Sequence, residues 1–225
     1  MQRIFCKGKC DLKSAVIISN GAINDISYTK KYISREDFVI CADGAAHHLM
    51  KMGIFPDVWI GDYDSCTMTR SEFSQFSKES EIVRLNPVKD ATDTEEACDY
   101  VIKRGFDSVT LLGSIGTRMD HSLANIYLLK KFADANIEAR IVNENNIIRL
   151  AKAENIISKT HDFTYLSLIP LSGGLHDVCI SGMKYTLNHA DVSQFSSIGV
   201  SNEITEDEGR ITIGQGDAII ILSKD

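Results

Sequence analysis

Short apolar runs alternate with amphipathic stretches over roughly the first two thirds of the chain. The runs are rich in β-branched and aromatic residues, and most of them end at Gly, Asp, Asn or Ser. They predict strands at 15–19, 38–42, 58–61, 82–85, 108–112 and 139–142. This alternation is typical of βαβ units wound into a mostly parallel sheet flanked by helices, in which ligands bind beyond the carboxyl ends of the strands.

Two of the intervening stretches predict helices with clear ends. Residues 91–104 follow the acidic, cap-rich segment 90–95 and stop at Gly105, as expected for a helix N-terminus and a glycine C-cap. Residues 119–133 carry apolar side chains at helical spacing, which predicts a broad apolar face. That face would contain Leu123, Ala124, Tyr127 and Leu128.

The pattern changes after about residue 150. Strand-like runs at 163–171, 178–185, 210–213 and 217–222 are separated by glycines, and few helical windows remain. We therefore predict an α/β domain over 1–150 and a smaller all-β sandwich domain over 151–225. So short a β domain has little core of its own, so we expect it to pack on the first domain or on another subunit.

Composition narrows the class of ligand. The chain has 225 residues, 44% hydrophobic and 24% charged, with a formal net charge of −7. An acidic protein lacks the basic face that binds nucleic acid, so no nucleic-acid partner is expected. If an anionic nucleotide binds, a divalent metal and a few placed Lys or Arg side chains must offset the carboxylates.

No segment predicts membrane insertion or export. The chain start lacks a long apolar region, and no stretch reaches the ~20 apolar residues that span a bilayer. We expect a cytoplasmic protein with no membrane partner. The six cysteines are scattered, without a zinc or redox spacing, and are expected to be reduced thiols.

Two aspartates after the third predicted strand are the most informative residues. Asp62 and Asp64 lie two positions apart, and in extended backbone such side chains point the same way and can share one hard cation such as Mg²⁺. Asp57 precedes them in the same acidic segment. The alternative interpretation is an acidic turn that closes a strand.

Two further loops bring polar residues to the same predicted edge. Asp43 and Gly44 end the second strand, where the glycine would let backbone approach a ligand and the aspartate would meet a ribose or a metal. Lys89 and Asp93 follow the fourth strand and are a candidate phosphate contact and a candidate metal ligand. Simple helix capping explains both loops equally well when each is taken alone.

A glycine-rich loop follows the fifth strand. Gly113 and Gly116 would expose backbone N–H groups to phosphate oxygens, and Arg118 supplies a bidentate fork for them. His121 would orient a carboxylate or contact a phosphate, although a lone histidine is more often a packing residue. The adjacent His47 and His48 cannot face the same way on a helix, so we do not expect them to bind a metal together.

The ordered set of motifs resembles one family. The motifs are Asp43-Gly44-Ala45, Pro56-Asp57 with Gly61-Asp62-Tyr63-Asp64-Ser65, Lys89-Asp90-Ala91-Thr92-Asp93, Arg118-Met119-Asp120-His121 with Asn125, and Ser201-Asn202-Glu203. Together they look like thiamine pyrophosphokinase of the bacterial type, from about residue 15 to 222. One departure is the Gly116-Thr117-Arg118 run, where bacterial members usually have Gly-Gly-Arg.

The resemblance implies transfer of pyrophosphate from ATP to the hydroxyl of thiamine, with release of AMP. It also implies a homodimer with active sites between subunits and a requirement for Mg²⁺. On this basis the metal ligands would be Asp62, Asp64 and Asp93. Nucleotide and phosphate contacts would come from Asp43, Gly44, Lys89, Gly113, Gly116, Arg118, His121 and Asn125.

The thiamine side of the site follows from the same resemblance. Asp120 is assigned to the thiamine hydroxyl or to a second metal. Ser201 and Asn202 would help to form the thiamine pocket from the partner subunit. The thiazolium ring is cationic, and an aromatic face would favour it, with Trp59 and Tyr185 as candidates.

Two other classes of function fit the residues themselves. A Mg²⁺-dependent nucleotidyl- or glycosyltransferase also uses paired aspartates on an α/β sheet. A sensor that binds thiamine or a nucleotide without turnover would keep the same residues. The reaction products distinguish the three.

Overall fold

One continuous sheet carries the fold of this protein. The computed structural model describes residues 12–63, 68–78, 80–86 and 90–225. The strands are β1 (Ser14–Ile18), β2 (Phe38–Ala42), β3 (Val58–Gly61), β4 (Glu81–Arg84), β5 (Ser108–Leu112), β6 (Glu138–Val142), β7 (Asn146–Leu150), β8 (Glu154–Ser158), β9 (Tyr165–Ser181), β10 (Leu187–Val192) and β11 (Glu208–Ser223). The helices are α1 (Ile26–Lys30), α2 (Ala46–Met52), α3 (Arg70–Lys78), α4 (Asp93–Arg104) and α5 (Met119–Asp134).

The N-terminal half of the sheet is parallel, as predicted. Its strand order is β4-β3-β2-β1-β5-β6, and all six predicted strands are present with ends shifted by at most one residue. Since β1 pairs with β2 on one side and with β5 on the other, the chain reverses its direction of winding at β1. In an open parallel sheet this reversal leaves a crevice at the carboxyl ends of the strands.

Helix α4 begins and ends where its sequence predicts. The Thr92 hydroxyl accepts a hydrogen bond from the backbone N–H of Glu95 at 3.2 Å and caps the N-terminus. Gly105 ends the helix with φ 67°, a left-handed conformation that favours glycine.

The predicted apolar face of α5 was wrong. Leu123, Ala124 and Tyr127 are exposed, and the helix instead buries the side chains of Ser122, Asn125, Leu129 and Phe132. The two polar residues are buried because they hold the loop in front of the helix by hydrogen bonds. Exposed Met119, Leu123 and Tyr127 are left as an apolar stripe, one turn apart.

The C-terminal half is antiparallel, but its strands differ from those predicted. Most of the run at 163–171 and the first half of the run at 178–185 lie in one strand, β9, and the runs at 210–213 and 217–222 lie in β11, whereas β8 and β10 were not predicted. The glycines between them do not end strands, because the β9–β11 ladder continues through register shifts near Gln215 and Asp217. Strand β11 pairs with β7 at one end and with β8 at the other, so it joins the two halves of the sheet.

Apolar side chains form three buried clusters. One lies between the parallel strands and α4 and α5, and contains Leu111 and Phe132. The second covers the opposite face and contains the fully buried Trp59. The third fills the antiparallel half. Burial on both faces explains why the parallel strands read as continuous apolar runs.

The thiols follow the expectation as far as the described residues reach. Cys41, Cys98 and Cys179 form no disulfide, and the first two are buried. Within the same residues, no helix is long and apolar enough to cross a membrane.

Candidate functional site

A cleft of ≈ 570 Å³ opens at the carboxyl ends of β1, β2 and β5. It therefore lies where the sheet topology predicts a ligand site. Five described segments line it, and they include Ser19–Ala22, Ala42 and Asp43, His47 and His48, Thr92–Thr94, and Gly113, Ser114, Gly116–Arg118, His121 and Asn125.

Hydrogen bonds fasten the loop after β1 to the loop after β5. The Gly21 N–H donates to the Gly113 carbonyl at 2.7 Å. The hydroxyls of Ser114 and Ser19 lie 3.3 Å apart. Buried Asn125 then donates from its amide to the Ser114 carbonyl at 2.7 Å, so α5 holds this floor of the cleft in place.

Gly113 provides the first prediction on stability. Its φ is 63°, and a Cβ atom there would lie 2.3 Å from the Ser19 carbonyl oxygen. Gly53 has nearly the same φ of 67° but nothing within 4 Å, so it is a matched control. We expect Gly53→Ala to lower the free energy of unfolding by about 1 kcal/mol from backbone strain alone. Gly113→Ala should lower it by about 2–6 kcal/mol, because overpacking adds to strain. Urea unfolding of both variants measures the difference, and equal losses would contradict the close packing of the two loops.

Asp43 is held in an uncommon backbone conformation at the edge of the cleft. Its φ is 41°, and its side chain is buried. The indole N–H of Trp59 donates to the Asp43 carbonyl at 2.9 Å, and the Tyr63 N–H donates to its carboxylate at 2.9 Å. These contacts fix a carboxylate at the site, which is where strained backbone typically occurs in proteins. Gly44 is buried beside Asn20 and does not itself line the cleft.

His47 and His48 line the cleft, and their rings are in contact at a tilt of 40°, with centroids 3.8 Å apart. Each donates a ring N–H to a carbonyl, His47 to Gly44 at 2.7 Å and His48 to Gly21 at 2.8 Å. Burial and the neighbouring His47 ring lower the pKa of His48. The pair therefore stabilises two loops.

The lowered pKa of His48 sets the sign of a pH effect. The folded protein disfavours the imidazolium, so the contribution of neutral His48 to stability is fully present above the ordinary value of 6.5 and is lost as the pH falls below it. We expect His48→Gln to flatten the decline in unfolding free energy between about pH 6.5 and pH 5, where one proton contributes at most about 1.4 kcal/mol per pH unit. Exposed His161→Gln is the control. An unchanged pH profile for His48→Gln would be inconsistent with a neutral, buried His48.

Two helix N-termini open onto the cleft. Thr92, Asp93 and Thr94 begin α4, and Gly116, Arg118 and His121 surround the start of α5. Helix N-termini carry partial positive charge and unpaired N–H groups, which favour phosphate oxygens. Asp43 and Asp93 line the same space. The cleft thus combines anion-binding groups with oxygen ligands suited to a hard cation.

Arg118 and Asp120 form an exposed ion pair at the mouth of the cleft, with 2.6 Å between Nη2 and Oδ2. Their hydrogen bond lowers the pKa of Asp120 and raises that of Arg118. Arg118 lines the cleft and Asp120 does not. Because both side chains are mostly exposed, the pair is weak, and Arg118 can exchange this partner for a phosphate at little cost.

The extended backbone predicted between Asp62 and Asp64 is not found at Tyr63. Strand β3 ends at Gly61, and Tyr63 has φ 64°, so the backbone between Asp62 and Asp64 is not extended. Asp57 lies at the opposite end of β3, where its carboxylate accepts a hydrogen bond from the Val39 N–H at 2.7 Å. Asp62 is half-buried at the end of the strand, and Asp64 and Lys89 lie outside the described residues. Within the described ranges, no three His, Cys, Asp or Glu side chains form a metal-binding group.

The residues predicted to contact thiamine lie in the antiparallel half, away from the cleft lining. Asn202 is buried, accepts a hydrogen bond from the Tyr185 N–H at 2.9 Å and donates to the Tyr185 carbonyl at 2.7 Å. Ser201 is exposed with φ 58°. Of the two aromatic candidates, Trp59 is a core residue, whereas the Tyr185 ring is exposed.

Sequence reasoning missed the segment Ser19–Ala22 and the role of both histidines. The Ser-Asn-Gly run directly after the first strand is a usable signal, because it marks a strand end with residues typical of turns. The hydrogen bond between Gly21 of this run and Gly113 forms because β1 lies beside β5. The order of residues along the chain does not reveal which strands are neighbours. The role of His47 and His48 could not be predicted, because it depends on which carbonyl groups lie beside their rings.

The fold and the cleft together define a class: a parallel α/β protein that binds a phosphate-bearing ligand at a switch point, with carboxylates placed for a cation. Comparison with known proteins makes the class specific. Residues 29–141 match the family model "Thiamin pyrophosphokinase, catalytic domain", and residues 154–217 match "Thiamin pyrophosphokinase, vitamin B1 binding domain". The chain belongs to the thiamine pyrophosphokinase family.

Individual relatives agree in sequence and in structure. The thiamine pyrophosphokinase of Bacillus subtilis (strain 168) is 31% identical over 95% of this chain and 100% of its own length. The solved structure of the Bacillus subtilis enzyme superposes with a TM-score of 0.86, covering 95% of this chain and 100% of that one at 30% identity. Thiamin pyrophosphokinase from Candida albicans shares the fold, with a TM-score of 0.79 over 96% of this chain and 90% of that one at 17% identity.

Proposed function

We propose that this protein transfers pyrophosphate from ATP to the hydroxyl of thiamine, giving thiamine diphosphate and AMP. Family membership over both halves of the chain supports the reaction. The observation that supports the location is the cleft itself, where two helix N-termini, Arg118 and two aspartates line one space at the switch point. ATP is the phosphate donor in this assignment, and thiamine is the acceptor.

In this reaction the protein must position the reacting groups of ATP and thiamine and stabilise negative charge. The thiamine oxygen attacks the β-phosphorus of ATP, the bond from that phosphorus to the oxygen shared with the α-phosphate breaks, and AMP leaves. The hydroxyl proton passes to a base or to water. Negative charge grows on the bridging and equatorial oxygens, so placed donors and cations account for most of the catalysis in such transfers.

The residues of the cleft fit Mg²⁺ as a cofactor. This ion is typically bound by one or two carboxylates with phosphate oxygens and water completing its octahedron. Asp43 and Asp93 supply such oxygens within the described part of the cleft. We propose that Asp93 holds the metal, with Asp62 and Asp64 acting directly or through water. When bound, the metal would neutralise phosphate charge and orient the oxygens.

The remaining contacts are divided between the ends of the nucleotide. Arg118, Lys89 and the loop at Gly113 and Gly116 are proposed to bind phosphates. Asp43 faces the nucleotide or the metal, with Gly44 packed beneath it. His121 and Asn125 complete this wall, where Asn125 acts by holding the Ser114 carbonyl. Asp120 stays our candidate for the thiamine hydroxyl or a second metal.

For thiamine, we propose a pocket formed by Tyr185, Ser201 and Asn202. The exposed Tyr185 ring provides an aromatic face for the cationic thiazolium or for the pyrimidine. The Asn202 side chain is hydrogen-bonded to both the N–H and the carbonyl of Tyr185, and these bonds fix the backbone that carries the ring. None of these three residues lines the cleft. The thiamine pocket and the nucleotide cleft must therefore be brought together by something other than shared lining residues.

A homodimer would bring them together. Exposed apolar side chains surround the thiamine region, namely Tyr185, Phe195, Ile198 and Val200. The α5 stripe of Met119, Leu123 and Tyr127 is exposed directly beside Arg118 at the cleft. Contiguous exposed apolar side chains of this kind mark interaction surfaces. We propose that each surface packs against the other in the partner subunit, which places a thiamine pocket over each nucleotide cleft.

Phe195 tests the dimer. Its side chain is 96% exposed, so Phe195→Asp should leave the subunit fold intact. As a buried aromatic anchor in the dimer, it should weaken association by about 2 kcal/mol or more, roughly 30-fold in Kd. Sedimentation velocity should show monomers and the rate should fall with them. Leu12→Asp, at another exposed apolar position, is the matched control. Full activity of a monomeric Phe195→Asp protein would contradict a shared site.

The reaction is tested by resolving its products. Purified protein with ATP, thiamine and Mg²⁺ should give AMP and thiamine diphosphate in equal amounts, and a chelator should stop both. Free pyrophosphate in place of AMP would indicate nucleotidyl transfer, and binding of both ligands without product would indicate a sensor.

We also propose that the chain divides into two domains between residues 150 and 151. This position lies between the two matched family regions, which end at 141 and begin at 154.

A further inference from the structure

A second cationic cavity lies away from the catalytic cleft. It has a volume of ≈ 920 Å³ and shares no lining residue with the cleft. Arg140 on β6 and Arg149 on β7 line it and are direct partners in the antiparallel register. Directly opposed residues in such a pair project from the same face at Cβ separations of roughly 4.5–5.5 Å, where like charges destabilise the sheet.

Both guanidinium groups are held in place by neutral partners. The Nε–H of Arg140 donates to the Thr110 hydroxyl at 3.1 Å, and its guanidinium lies 5.4 Å from the Tyr32 ring centroid. Arg149 donates from Nη1 to the Asn155 side-chain oxygen at 3.0 Å and to the Leu150 carbonyl at 3.2 Å. These contacts fix the two forks without neutralising their charge.

The support beneath Arg149 is itself rigid. Asn155 is 3% exposed, accepts from the Lys152 N–H and donates to the Lys152 carbonyl. Burial lowers the pKa of half-buried Arg149, and the nearby charge of Glu138 offsets only part of this effect. An arginine in this state gains most from an anion placed against its free N–H groups.

Among the described residues, neither arginine has a carboxylate oxygen within ion-pair distance. Two glutamates line the cavity, but Glu154 pairs with Arg210, and Glu138 pairs with Lys152 and acts on Arg149 only by longer-range attraction. The protein has a net charge of −7, so two adjacent arginines without an ion pair form a local concentration of positive charge. An oxyanion that binds both guanidinium groups at once would replace the repulsion between the two arginines by attraction to the anion.

We propose that this cavity binds a small phosphate-bearing anion through Arg140 and Arg149, independently of the catalytic cleft. Phosphate and diphosphate groups offer several oxygens in the geometry that planar guanidinium forks bind in bidentate fashion. In the proposed reaction ATP, AMP and thiamine diphosphate belong to this chemical class, so the site would respond to their concentrations. Binding at this cavity does not depend on the reaction in the cleft.

Calorimetric titration with inorganic pyrophosphate, without Mg²⁺, tests the proposal on the full chain. The wild type and Arg118→Gln should both bind at this cavity. Arg140→Gln and the double variant Arg140→Gln/Arg149→Gln should lose that binding by at least 10-fold, with Arg104→Gln as an exposed arginine control. Without ligand, Arg140→Gln should melt at a higher temperature than the wild type, because one of two opposed charges is gone.

Three results would overturn it. They are no saturable binding by the wild type, loss of all binding in Arg118→Gln, and equal binding by Arg140→Gln and the wild type. Citrate, a carboxylate anion of similar charge, is the second probe, and tighter binding of citrate than of pyrophosphate would overturn the assignment to phosphate. Since Arg140 is exposed, we expect Arg140→Gln to fold although it loses the contacts with Thr110 and Tyr32, so the single substitution keeps the test valid even if the double variant unfolds.

Discussion

Asp93→Asn should lower kcat at least ~10²-fold, a loss of about 2.7 kcal/mol of transition-state stabilisation. Asp93 is the first residue of α4 and faces the cleft, so its carboxylate is both beside the phosphate-binding helix end and available to a metal. The amide of asparagine keeps the shape but loses the charge that a hard cation requires. Steady-state kinetics at varied Mg²⁺ should show the lost rate together with a higher metal requirement.

The control for this variant is Asp90→Asn, an exposed aspartate in the preceding turn that does not line the cleft. It should retain activity within a few-fold. Loss of charge at the start of α4 also removes a favourable helix-dipole interaction of about 0.3–1 kcal/mol, so thermal unfolding must accompany the kinetics. If Asp93→Asn turns over at the wild-type rate, Asp93 has no place in the metal site.

Arg118→Gln is expected to have an effect of similar or larger size. The guanidinium lies at the mouth of the cleft beside the N-terminus of α5, and removal of one placed donor to developing phosphate charge costs about 2.7–4 kcal/mol, or 10²–10³ in rate. Arg118→Lys keeps the charge without the planar fork and should recover only part of the rate. Kinetics of both variants with ATP varied at saturating thiamine measure the loss.

Arg104→Gln is the matched control, because Arg104 is also an exposed arginine in a carboxylate pair, with Glu81, but at the far end of α4. It should leave kcat/KM for ATP unchanged. Equal rates for Arg118→Gln and Arg104→Gln would show that Arg118 serves only its surface pair with Asp120.

The parallel half of the fold was predictable because its signals are local. Strands such as β2 and β3 are buried on both faces and therefore read as apolar runs, and Thr92 and Gly105 mark the ends of α4 by their own chemistry. The order of those strand ends along one edge then predicts where polar side chains collect. Asp43, Asp93 and Arg118 meet in one cleft for this reason.

The errors come from features that only tertiary contacts determine. Tyr63 has a left-handed backbone and its N–H is bound to the Asp43 carboxylate, so spacing along the chain could not give the backbone conformation that follows Asp62. The buried face of α5 is decided by Asn125, whose partner Ser114 lies in a separate loop. Strands β9 and β11 pass through their glycines because each bulge is matched by the neighbouring strand.

The most direct test of the central claim follows the phosphorus atoms of ATP. Purified protein is incubated with thiamine, Mg²⁺ and ATP radiolabelled either at the α- or at the γ-phosphorus, and the products are separated. Attack at the β-phosphorus predicts that γ-label appears in thiamine diphosphate with none in inorganic phosphate, while α-label stays entirely in AMP. Label from the α-phosphorus in a thiamine product, or γ-label released as phosphate or pyrophosphate, would contradict the proposed reaction.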